Sequence, residues 1–105
     1  MNSYSHLYWF YAMINVQWGK QATIKRDSLH SRYEVNQWGI DVTVPGLTAS
    51  KMREVLATKL VAAGYTEDAS VGSHRVFAKR IGNERRHVSL SGYEKTLHIW
   101  AKVYH

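Results

Sequence analysis

The chain has 105 residues, 45% of them hydrophobic and 12% aromatic, with one proline and no cysteine, a composition that folds as a single domain over 1–105 without a staple. The missing cysteines exclude disulfides, thiolate metal sites and cysteine nucleophiles, and they suit a reducing cytoplasm. The formal charge is +6, and residues 71–105 alone hold seven Lys and Arg against two Asp and Glu, which points to an anionic partner rather than to solubility alone.

Taken in chain order, the residues from Leu7 to Trp18 alternate, with Tyr8, Phe10, Ala12, Ile14, Val16 and Trp18 forming an apolar set. Period two with aromatic and β-branched residues predicts a strand, central in its sheet because the opposite set, Leu7, Trp9, Tyr11, Met13, Asn15 and Gln17, turns polar only toward its end and is partly covered. The run Leu7–Met13 has no basic flank or small-residue cleavage site, and it falls short of the ~20 residues a membrane-spanning helix needs, so no membrane partner is expected.

Gly19–Lys20 predicts a turn, Gln21–Arg26 a short strand, and Asp27–Arg32 a polar loop. Tyr33–Val44 reads as a third strand, with Trp38, Ile40, Val42 and Val44 on one face. Pro45-Gly46 ends it. Thr48 then caps a helix over about 48–63, in which Met52, Val55, Leu56, Leu60 and Ala63 form the apolar stripe and Gly64 is the C′ residue.

Four strand segments follow: Tyr65–Ser70, Arg75–Ile81, Arg85–Leu90 and Thr96–Tyr104, with turns at Gly72–Ser73, Gly82–Glu84 and Ser91–Glu94. The predicted fold is therefore α+β, an antiparallel sheet in the order β-β-β-α-β-β-β-β with one amphipathic helix packed on it.

The closing strand divides cleanly. Leu97, Ile99, Ala101 and Val103 form a core face, and His98, Trp100, Lys102 and Tyr104 an outer one. Pairing with Arg85–Leu90 brings His87 and Ser89 to the same outer side. Rings interleaved with cations are what single-stranded nucleic acid needs, since bases stack on the rings and Lys or Arg follow the phosphates. Lys79-Arg80 and Arg85-Arg86 flank the Gly82-Asn83 turn, so the hairpin Arg75–Arg86 is the densest basic element. The expected nucleic-acid-binding residues are Arg75, Lys79, Arg80, Arg85, Arg86, His98, Trp100, Lys102 and Tyr104.

Two alternatives use the same residues. Four Trp and seven Tyr exceed what a small core readily absorbs, which fits a protein-binding inhibitor or adaptor of the phage or mobile-element kind, or a homodimer. The acidic partner in that case is a nucleic-acid-associated protein. A metal-independent endoribonuclease would use His87 and His98 as acid and base with Lys102 and Tyr104 assisting. Binding rather than catalysis is the expectation. The histidines lack metal-ligand spacing and the glycines form no phosphate loop, so no cofactor or metal is expected.

Overall fold

A computed structural model describes residues 5–32, 35–71 and 74–104, for residues 27–32, 35 and 69–71 in their backbone only. The chain order is helix α1 (Ser5–Trp18), a 3₁₀ turn (Gly19–Gln21), strands β1 (Thr23–Arg32) and β2 (Val35–Thr43), helix α2 (Ala49–Ala62), and strands β3 (Thr66–Val71), β4 (His74–Ile81), β5 (Glu84–Tyr93) and β6 (Thr96–Tyr104). The strands form one antiparallel sheet ordered β1-β2-β6-β5-β4-β3. The α+β class, the antiparallel sheet and the helix near 48–63 are as the sequence predicts.

The first element differs. Leu7–Trp18 is a helix rather than a strand, and its buried residues include Leu7, Phe10 and Ile14. Those three sit at three- and four-residue spacing, the helical period. Because the segment is apolar on every side, alternation and helical period both match it, and its length favours the helix. The polar stretch 27–32, expected as a loop, continues β1, and the expected turn at 91–94 is the end of β5, with Glu94–Lys95 making the turn instead. Glu94 adopts a left-handed conformation there, φ 56°. The predicted Gly72–Ser73 turn lies outside the described residues.

The helix α2 is defined at both ends. The Thr48 hydroxyl accepts the Lys51 amide at 3.1 Å, satisfying one of the donors a helix start leaves open. The Ala49 amide donates to the Glu94 carbonyl at 2.8 Å, which pins the helix start to the β5–β6 turn. Gly64 follows in a left-handed conformation at φ 95°, and Lys79 Nζ donates to the Ala63 carbonyl. That bond draws a cation to the negative end of the helix dipole.

Both helices cover one face of the sheet. Leu7, Phe10 and Ile14 of α1 and Met52, Leu56 and Leu60 of α2 join a single buried cluster with Trp38, Ile40 and Val42 of β2, Phe77 of β4, Val88 and Leu90 of β5, and Leu97, Ile99 and Ala101 of β6. Each fully buried aliphatic or aromatic side chain contributes about 1.5–3 kcal/mol. Space is tight at Gly92 of β5, where an added Cβ would meet Ala49 Cβ at 2.5 Å and the Thr96 carbonyl at 2.9 Å. The edge strands β1 and β3 each carry a bulge, at Arg26/Ser28 and Glu67/Ala69, a device that discourages edge-to-edge association.

Candidate nucleic-acid interface

With both helices on one side, no described element covers the other face of the sheet. Antiparallel register aligns its side chains in rows, because directly opposed residues share a face. One row runs Tyr104, Arg85, Arg80; the next Gln37, Lys102, His87, Ala78, Thr66; then Gly39, Trp100, Ser89, Val76; and then Lys25, Asp41, His98, Ser91. His98, Trp100, Lys102 and Tyr104 are all half-buried. His87 and Ser89 join them, as the alternation predicts.

At one end of the face, the Arg85 guanidinium lies 5.2 Å from the Tyr104 ring centre, and His87 meets the same ring edge-on at 5.6 Å. Arg80 is exposed and directly opposite Arg85. A shallow depression of about 420 Å³ opens beside them, lined by Thr66, Ala78, Arg80, Arg85 and His87 among others. At the other end, His98 Nδ1 donates to Asp41 Oδ1 at 2.6 Å, next to a second depression of about 330 Å³ reaching Ser91, Tyr93 and His74. Trp100 stands between the two depressions, flanked by Gly39 and Ser89. Among described side chains registered to this face, the cations Lys25, Arg80, Arg85 and Lys102 stand against one carboxylate, Asp41.

The sheet pleat divides the basic hairpin. Arg80 and Arg85 point to the open face, whereas Arg75, Lys79 and Arg86 alternate onto the helix side. There they are occupied. Arg75 makes two hydrogen bonds to the Glu67 carboxylate, at 2.8 and 2.7 Å, which hold the Glu67 carboxyl below its usual range. Lys79 caps α2 and lies 5.7 Å from the Tyr65 ring. Arg86 pairs with Glu84 and lies beside Tyr65. Six of the nine expected binding residues therefore share the open face, and three support the layer beneath α2.

Histidines 87 and 98 also separate. His87 opposes Lys102 and His98 opposes Ser91, four residues apart along β5, or about 13 Å at ~3.3 Å per residue. That is too far for one acid and one base to serve a single phosphate. The pair that does form, His98 with Asp41, joins positions 57 apart in the chain, so no local motif could announce it. Among the described residues no group of three or more His, Asp or Glu is placed to hold a metal ion, and no helix is long and apolar enough to cross a membrane.

Comparison of the chain with models of known families, with characterised proteins and with solved structures returned no match.

Proposed function

We propose that the protein binds single-stranded nucleic acid on the open face of its sheet. One observation carries this: along β6 the outward residues run His98, Trp100, Lys102, Tyr104, with Arg80 and Arg85 alongside. Rings supply stacking of ~1–3 kcal/mol per base, and the cations neutralise phosphates whatever the sequence. A sheet platform of this kind takes unstacked bases, which duplexes do not offer. A cysteine-free chain fits cytoplasmic nucleic acid as the target.

The test is a titration with labelled single-stranded RNA and DNA at about 50 and 200 mM salt. Affinity should fall steeply between the two, and Lys102→Ala should flatten the dependence by about 0.7 in log–log slope. Absence of binding at the lower salt would remove the proposal.

The protein-binding alternative has its own observation. Residues Ser5–Trp18 carry no charge, yet Tyr8, Trp9 and Val16 remain 54, 36 and 82% exposed, beside a groove reaching Ala62 and Lys59 of α2. Exposed apolar patches mark interaction sites. On a molecule of net charge +6, this neutral helix is where a second copy can approach without repulsion, in a two-fold contact. A concentration-dependent dimer by sedimentation, abolished by Val16→Lys, supports that alternative; a monomer at about 100 μM refutes it.

A further inference from the structure

The outward residues of β6 recur every second position, a repeat of about 7 Å in an antiparallel strand. A stacked nucleic-acid strand advances ~3.4 Å per nucleotide, and unstacking lets it extend to roughly twice that. The two repeats match. We infer that the single strand lies lengthwise along β6 at one nucleotide per two residues. Its bases stack on Trp100 and Tyr104 two nucleotides apart, and Lys102 reaches one of the two phosphates between. This rests on the nucleic-acid function proposed above and adds the direction, spacing and footprint of the ligand.

Three features of the face argue for it. Trp100 has Gly39 and Ser89 as its cross-strand neighbours, so its ring is bordered by residues too small to cover it. Tyr104 is held by Arg85 over the ring and His87 at its edge, an arrangement that fixes the ring before any base arrives. Lys102 lies midway between the two rings, with Gln37 and His87 to either side. The stacking positions therefore alternate with a cation along one strand rather than scattering across the sheet.

Charge gives the path an end. Arg80 and Arg85 extend the cationic surface beyond Lys102 at the Tyr104 end. Past Trp100 stands the Asp41 carboxylate, bonded to His98. A phosphate there meets a fixed negative charge, whereas an exocyclic amino group of a base meets an acceptor. The backbone runs beside Lys102 and Arg85 and leaves the face at Asp41, giving a footprint of three nucleotides. A duplex, with its bases stacked at ~3.4 Å and their faces hidden, fits neither spacing nor stacking.

The experiment uses trinucleotides of RNA and of DNA, intact or abasic at one position, with binding read from the backbone amide NMR signals of the full chain. Removing the first or third base should weaken binding between about 5- and 150-fold, the range set by one lost stack, while removing the middle base changes it less than about 3-fold. Trp100→Ala and Tyr104→Ala should each weaken the intact trimer by a similar factor. Each should also become insensitive to loss of one terminal base, a different one for each variant. Either sugar satisfies the spacing. Equal losses at all three positions, or binding indifferent to both substitutions, overturns the lengthwise register while leaving the nucleic-acid function standing. If no trimer and no longer single strand binds at about 50 mM salt, both fall together. Both substituted rings lie on the open face, and retained amide dispersion in the spectra of each variant shows that its fold is intact.

Discussion

Lowering the pH from about 7.5 to about 5 should destabilise the protein through one residue, His6. The ring is 2% exposed and wedged among aromatics, stacked 6.1 Å from both Trp9 and Tyr65 and edge-on to Phe10 and Trp38 at 5.2 and 5.5 Å. Its Nε2 lies 2.7 Å from the Tyr65 hydroxyl. Arg86 stands beside that hydroxyl and can only donate, so the phenol proton serves the imidazole. The imidazole is therefore held neutral: burial first, then the nearby Arg86 charge, lower its pKa from 6.5 to about 3. The unfolded chain takes up a proton as the pH drops through 6.5, and the folded one resists until about 3, so stability is full above the upper value and erodes below it. At pH 5 the erosion is about 2 kcal/mol, 1.5 pH units at ~1.4 kcal/mol each. Urea denaturation of the wild type and of His6→Gln at both pH values measures it. Carboxylate titration is common to the two proteins, so the difference between them isolates His6 and should move by about 2 kcal/mol in favour of the variant at the lower pH. Parallel losses in the two proteins would refute the buried neutral imidazole.

Gly92→Ala should cost about 1–3 kcal/mol in thermal unfolding, since its Cβ would strike Ala49 and the Thr96 backbone. Thr48→Ala should cost about 1 kcal/mol by removing the N-cap acceptor of α2, read by the same scan. Glu67→Gln should leave the unfolding midpoint nearly unchanged, because the Arg75 pair is about 30% exposed on both sides. Arg85→Ala should weaken single-strand binding and its salt dependence, whereas Glu67→Gln should leave both unchanged, a contrast that separates the open face from the helix face.

Alternation made most of the sheet legible. In β6 every second residue is apolar, and the buried ones are Leu97, Ile99, Ala101 and Val103, because one side faces helices and the other water. The same logic fixed Val88 and Leu90 inward. It failed for α1, where apolar residues surround the axis and no polar side marks the period. Strand β4 was ambiguous in sequence for a related reason: Arg75, Phe77 and Lys79 mix charge with an apolar ring, and Val76, Ala78 and Arg80 do the same. The structure resolves it through Phe77, which is fully buried, carrying Arg75 and Lys79 to the helix side where Glu67 and the end of α2 engage them. Charge density along the chain located the hairpin correctly but could not tell its two faces apart. The Asp41–His98 pair was invisible because its partners meet only across β2 and β6.

The place of β6 between β2 and β5 has a consequence for how the molecule comes together. Among the described strands β6 alone pairs with both β2 and β5, so until it is in place β1–β2 and β3–β4–β5 are not joined through the sheet. Its pairing with β2 joins positions as distant as Asn36 and Val103, so closing the sheet means closing a long loop, a slow step. The two fragments present bare inner edges until β6 inserts between them, and the core seals only then. The same strand carries Trp100, Lys102 and Tyr104, so the proposed binding face is assembled only when folding ends.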